Sequence, residues 1–73
     1  MNKTIYSISQ TTNHHPALGP VFKVEFTDYT QDLVYAETFF HQIDGWYSST
    51  HKYGIEWLIG KTINISEDYY SID

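Results

Sequence analysis

Histidines and carboxylates are the residues of this 73-residue chain whose side chains could carry out chemistry. The four histidines change charge near neutral pH, which makes them candidates for acid–base catalysis or metal binding. His14 and His15 are adjacent, so in an extended loop their rings point to opposite sides, which disfavours joint chelation of one ion. His41 and His51 match no ligand spacing, and the chain has no cysteine. We therefore predict no metal site and no cofactor.

Catalysis by a histidine would need a partner group at a distinctive spacing. Glu37, Glu56 and the tyrosines supply suitable groups, but no pair stands at a spacing typical of an active site. The glycine motifs of phosphate-binding loops, dinucleotide-binding folds and serine hydrolases are absent from the sequence. We expect a non-enzymatic protein, with a small histidine-dependent enzyme or metal-binding protein as the alternative.

The chain is poor in basic residues. It has nine Asp and Glu against four Lys and no Arg, which gives a formal net charge of -5. Arg forms bidentate contacts with phosphate and guanine, and clusters of Lys and Arg supply most nonspecific affinity for nucleic acid. This composition therefore predicts no direct binding of DNA or RNA.

Tyrosines lie beside carboxylates in three places. Tyr29 follows Asp28, Tyr35 is near Glu37, and residues 67–73 combine three carboxylates with two tyrosines. Tyr is enriched at protein interfaces because its ring offers a large contact area at low entropic cost, with a polar tip. The partner-binding residues that we predict are Asp28, Tyr29, Glu67, Asp68, Tyr69, Tyr70 and Asp73.

These features predict a protein-binding module whose partner is another protein with a basic surface. By analogy in size and charge alone, we expect an inhibitor of the kind that a phage or mobile element uses to occupy the nucleic-acid-binding site of a defence complex. A third alternative is a self-assembling structural subunit, or a homodimer, formed through exposed strand edges. Residues 1–7 contain no apolar run typical of a signal peptide or membrane span, so we expect a cytoplasmic protein with no membrane partner.

The elements that would position these residues begin with two strands. Residues 4–10 and 21–27 alternate side chains at the period of a strand, and the second segment places its Phe and Val residues on one face. Residues 11–20 contain two Pro and a Gly without periodicity, which predicts a loop. A chain of 73 residues is expected to form one small domain, with residues 67–73 as an acidic aromatic tail.

Residues 54–66 predict the central strand of the fold. Ile55, Trp57 and Ile59 fall at alternate positions of one face, and Gly60 would allow the bend that a long strand needs on a curved sheet. We expect Trp57 to be the largest buried residue of this strand.

Residues 29–43 fit either a strand or a helix, and the dipeptide after them favours a strand. A two-residue Asp44-Gly45 loop between strand-forming residues is a strong hairpin signal, and it would pair Ile43 with Trp46. We therefore predict an all-β fold, a small antiparallel sheet or barrel of about five strands. The alternative is an α+β fold in which a helix over about 29–43 begins after Asp28 and packs on an antiparallel sheet.

Overall fold

The computed structural model describes residues 1–65, whose strands form one curled antiparallel sheet. The strands are β1 (Asn2–His15), β2 (Gly19–Phe26), β3 (Gln31–Tyr35) and β4 (Thr62–Asn64). Their order across the sheet is β3-β2-β1-β4, and each neighbouring pair is antiparallel. This architecture confirms the predicted fold class, although the described residues hold four strands, one fewer than we expected.

Two short helices and a 3-10 helix connect β3 to β4. They are α1 (Ala36–Gln42), α2 (Trp46–Tyr53) and the 3-10 helix Ile55–Leu58. The helix over about 29–43 that we gave as the alternative is present only in part, as α1, because β3 takes up the first part of that range. Asp28 does not cap it, since Tyr35 precedes α1 and forms no side-chain capping bond.

The core lies between the sheet and the helices, and β2 supplies its centre. Phe22, Val24 and Phe26 are buried at alternate positions while Lys23 is exposed, as the sequence predicts. Ile5 of β1 pairs with Phe26. The other members of the buried apolar cluster are Val34, Ala36, Phe39, Ile43, Leu58 and Ile63.

The loop that we predicted over residues 11–20 is much shorter than expected. β1 continues to His15, so only residues 16–18 separate it from β2. Nδ1 of His15 accepts hydrogen bonds from the amides of Ala17 and Leu18, at 3.1 and 3.0 Å, and closes the turn. A polar strand end of this kind has no apolar periodicity, so its sequence resembles that of a loop.

The predicted hairpin at Asp44-Gly45 is wrong. Gly45 does have the positive φ, 71°, that such a turn needs, but it joins α1 to α2. Phe39 and Ile43 are buried at helical spacing, whereas Phe40 is 69% exposed. Burial of that stripe against the sheet outweighs the strand propensity of the aromatic residues, which is only a weak preference.

The predicted central strand over residues 54–66 is also wrong. Its first part is the 3-10 helix Ile55–Leu58, and only Thr62–Asn64 joins the sheet, as an edge strand. Gly54 and Gly60 have φ of 90° and 92°, so the backbone leaves the extended conformation on both sides of the 3-10 helix.

The buried residues of this segment are Leu58 and Ile63, and not Trp57. Leu58 is fully buried, whereas Trp57 is partly buried at the margin of the core. Lys61 Nζ lies 4.3 Å from the centroid of the Trp57 ring, which is a cation–π contact. Ile59, which we placed on the buried face, is 46% exposed.

Candidate functional site

The turn between β2 and β3 exposes the side chain of Tyr29 to solvent. Tyr29 has φ of 67° and is 90% exposed. No other non-glycine residue among residues 1–65 has a positive φ. A left-handed backbone costs an ordinary residue about 1–2 kcal/mol, whereas glycine adopts it freely. Neither burial nor backbone preference therefore explains a tyrosine at this position.

Hydrogen bonds of the backbone and of Asp28 fix this turn. The Tyr29 amide donates to the Phe26 carbonyl at 3.0 Å, and the Phe26 amide donates to the Thr30 carbonyl at 2.9 Å. The Asp28 carboxylate accepts hydrogen bonds from the Thr30 amide, at 3.1 Å, and from the Thr30 hydroxyl. Lys3 Nζ lies 3.3 Å from the same carboxylate and completes the arrangement.

These contacts define what Asp28 can do. The hydrogen bonds from Thr30, with a smaller contribution from Lys3, hold the pKa of the Asp28 carboxyl below its ordinary value. Because Lys3 already pairs with this carboxylate, Asp28 offers little unpaired charge to a partner. In the structure, its hydrogen bonds stabilise the turn that carries Tyr29.

Tyr6 and Tyr29 line one open cavity of about 420 Å³. Tyr6 is 62% exposed. The remaining lining residues are Glu25, Phe26 and Thr27. The Ser7 hydroxyl donates to Glu25 over a long 3.5 Å, and within residues 1–65 no Lys or His forms an ion pair with Glu25. We call Tyr6, Glu25 and Tyr29 the Tyr29 surface.

Sequence reasoning missed Tyr6 because β1 is irregular. Strict alternation would put Tyr6 and Ile8 on one face and Ile5 on the other. The register shifts between Ile5 and Ser7, so Ile5 and Ile8 both reach the core side and Tyr6 turns outward. Two isoleucines three positions apart in a strand were the available signal of this bulge.

The predicted tail residues Glu67, Asp68, Tyr69, Tyr70 and Asp73 lie outside the described residues. The last described residue, Ile65, donates its amide hydrogen bond to the Met1 carbonyl at 2.7 Å. Because β1 is antiparallel to both of its neighbours, its first residue and the turn that carries Tyr29 lie at the same end of the sheet. Ile65 therefore stands at the end of the sheet to which Tyr29 belongs.

The histidines are distributed over separate parts of the structure. His14 is exposed on β1, and His15 binds the turn amides through Nδ1. Nε2 of His41 lies 3.2 Å from a Glu37 carboxylate oxygen, and His51 stacks on a tyrosine ring of α2. Among residues 1–65, no three His, Asp or Glu side chains are grouped so that they could hold a metal ion.

Tyr35, which we noted beside Glu37 in the sequence, lies apart from the Tyr29 surface. It stands at the opposite end of β3 from the turn, and its ring meets that of His15 edge-on at 5.4 Å. Tyr35 and Tyr29 therefore do not form one contact area.

The chain matches no family model, no curated protein and no solved structure. Evidence about its function therefore comes from its own residues. Within residues 1–65, neither α1 nor α2 has the length and apolar character that a membrane-spanning helix needs.

The free edge of the sheet at β3 carries a charge. The Asp32 carboxylate accepts a hydrogen bond from the Leu33 amide at 2.9 Å. An amide that is already bound by a carboxylate is a poor template for a further strand, and charged groups are a common protection of sheet edges. This contact occupies one amide of β3, and self-assembly through strand edges stays an alternative prediction.

Proposed function

We propose that this chain is a non-enzymatic module that binds another protein with a basic surface, and that the Tyr29 surface is its principal contact area. The observation that carries the proposal is the backbone of Tyr29. A tyrosine stands 90% exposed at a positive φ where glycine would be more favourable, and contacts among Lys3, Asp28 and Thr30 fix the backbone of its turn. Exposed tyrosines are enriched among the residues that contribute most to binding at protein interfaces.

The expected charge of the partner follows from Glu25. Glu25 lines the same cavity as two exposed tyrosines, and its carboxylate has no ion pair within the described residues. Carboxylates beside aromatic rings suit Lys and Arg, because the charge steers encounter while the ring faces supply cation–π contact. Residues 67–73 would add three carboxylates and two tyrosines, and in the sequence they come shortly after Ile65, which stands at the same end of the sheet as Tyr29.

A partner with a nucleic-acid-binding site would present such a basic surface. Occupation of that site by this chain would make it an inhibitor that acts in the cytoplasm, in the manner of an anti-defence protein of a phage or mobile element. This part of the proposal rests on size and charge, and the identity of the partner decides it.

Affinity capture with matched variants tests the proposal. The intact chain, Tyr29→Gly, Tyr6→Ala and the control Tyr53→Ala would each be used to capture proteins from cells of its natural host, followed by quantitative mass spectrometry. Tyr53 is a suitable control because it is 62% exposed, as Tyr6 is, but lies on α2. We expect one partner to be lost with Tyr29→Gly and Tyr6→Ala and retained with Tyr53→Ala.

Thermal unfolding of Tyr29→Gly separates a binding role from a structural one. Glycine relieves the left-handed strain, so the variant should unfold at the same temperature as the intact chain or a higher one. Loss of the partner together with retained stability would support the proposal. A partner that Tyr29→Gly and Tyr6→Ala capture as well as the intact chain does would exclude the Tyr29 surface as the contact area.

A further inference from the structure

A second cavity, of about 400 Å³, lies at the turn between α1 and α2. Two of its rings are largely exposed, with Phe40 69% and Tyr47 66% accessible to solvent. Its lining residues are Phe40, Ile43, Asp44, Gly45, Trp46, Tyr47 and Ser48. We call this the helix-turn cavity. It shares no residue with the Tyr29 surface.

Neighbouring rings hold the aromatic side chains of this cavity in place. Trp46 packs on the buried Phe39 with ring centroids 5.9 Å apart, and the edge of Tyr47 meets Trp46 at the same distance. His51 stacks on Tyr47 at 5.7 Å, with an angle of 25° between the planes. Rings that are already ordered lose little conformational entropy when they bind a ligand.

Asp44 gives the cavity its charge. It is the one charged residue in the lining, and no Lys or His within residues 1–65 forms an ion pair with it. Aromatic ring faces carry negative potential, so a cavity whose lining holds an unpaired carboxylate and three aromatic residues favours a cation over a neutral or anionic group. The volume is that of a small binding site and accommodates one long side chain.

We propose that the helix-turn cavity binds the Lys or Arg side chain of a protein segment, with Asp44 contacting the charged group and Phe40 and Tyr47 contacting the side chain that carries it. The alkyl stem of such a residue can cover apolar rings while its charge stays near solvent. This inference deepens the proposed function, because it names the kind of side chain through which the basic partner would bind. It relies on that function only for the identity of the partner, since the cavity can be tested with synthetic peptides.

Chemical-shift mapping on the ¹⁵N-labelled full chain provides the test. The probes are blocked hexa-arginine, blocked hexalysine and the uncharged hexa-citrulline peptide. We expect the two cationic peptides to shift the amide signals of residues 44–48 and the indole signal of Trp46, and the citrulline peptide to leave them in place. Loss of one charge or one ring contact should weaken binding roughly three- to tenfold in Asp44→Asn and in Tyr47→Ala.

Two controls make the result specific. Tyr53→Ala removes an equally exposed ring of α2 outside the cavity and should leave peptide affinity unchanged. In the double variant Tyr6→Ala, Tyr29→Ala, which removes the rings of the Tyr29 surface, the peptides should still shift the signals of residues 44–48 as in the intact chain, so that failure of the proposed function and failure of this inference are distinguishable. Asp44→Asn preserves side-chain shape, and its melting temperature shows whether the variant remains folded.

Three outcomes would overturn the inference. They are an absence of shifts at residues 44–48, equal binding of the citrulline peptide, and unchanged affinity in a folded Asp44→Asn variant. Tetramethylammonium serves as a further probe. If it binds as tightly as the peptides, the cavity is a site for small ammonium ions and not for a protein segment.

Discussion

At the scale of single residues, two kinds of feature lower the stability of the folded chain. The first is the strained backbone of Tyr29. Packing of the ring does not offset this backbone strain, since the ring contacts solvent on most of its surface. The second kind lies in the core, where the hydroxyl of Thr38 and the indole nitrogen of Trp46 are buried without a hydrogen-bond partner among the described residues. Such groups lower stability because they lose water and gain no bond in return.

Thr38→Val should therefore stabilise the protein. The side chain is 2% exposed and valine has nearly the same shape, so the substitution removes an unsatisfied hydroxyl without opening a cavity. We expect the free energy of unfolding to rise by about 1 kcal/mol and the melting temperature by about 4–8 °C. Urea and thermal unfolding measure both quantities.

Thr50→Val is the matched control for that substitution. Thr50 is also helical, but its hydroxyl donates to the Trp46 carbonyl at 2.6 Å, so valine should bring no gain there. A Thr38→Val variant that unfolds more easily than the intact chain would show that the Thr38 hydroxyl has a hydrogen-bond partner in solution.

At the scale of elements, the segment after α2 is a strand in the sequence-based prediction and begins as a 3-10 helix in the structure. As a strand, it would bury Ile55, Trp57 and Ile59; as the 3-10 helix Ile55–Leu58, it buries Leu58 instead. The backbone carbonyl of Glu56 accepts a hydrogen bond from the Ile59 amide at 3.0 Å, which is a helical-turn contact that a strand would not form.

Leu58→Ala and Ile59→Ala distinguish these descriptions. Leu58 is fully buried, so its truncation should lower the free energy of unfolding by about 2–5 kcal/mol, enough to unfold much of so small a domain. Ile59 is 46% exposed, and its truncation should change stability by about 0.5 kcal/mol or less. Urea titration of the two variants measures both changes. A larger loss of unfolding free energy in Ile59→Ala than in Leu58→Ala would support the strand and contradict the 3-10 helix.

At the scale of the whole molecule, the charge is unevenly divided along the chain. Residues 1–65 hold six carboxylates and four lysines, so their net charge is -2, and the other three carboxylates of the -5 total lie in residues 67–73. One of the four lysines, Lys3, is used within the fold to hold Asp28. A basic partner would therefore meet a body of modest charge followed by a strongly acidic segment.

Deletion of residues 67–73 should change the salt dependence of partner binding. For the intact chain, we expect association to slow as salt rises from roughly 0.05 to 0.5 M, because the screening length shrinks over that range. The shortened chain loses three carboxylates and should associate more slowly at low salt, with a shallower dependence. Surface plasmon resonance with the captured partner measures both rates. Identical association rates of the intact and the shortened chain at low salt would show that residues 67–73 do not contribute to the interface.

The sequence alone determined several features of this protein. The two-residue period of residues 21–27 identified the face of β2 that reaches the core, because a strand with one buried face needs apolar side chains at alternate positions. Asp44-Gly45 identified a backbone that turns with a positive φ at Gly45. The shortage of basic residues is a property of composition and needs no structure.

Only the tertiary structure decided which elements flank that turn and which residues form a surface. The helical propensities of residues differ by about 0.7 kcal/mol at most among ordinary side chains, whereas burial of one large apolar side chain contributes about 1.5–3 kcal/mol. Contacts of Phe39, Ile43 and Leu58 with distant strands therefore override local preference. The bulge in β1 that turns Tyr6 towards the cavity it shares with Tyr29 likewise arises from pairing with β2, a neighbour that local sequence does not specify.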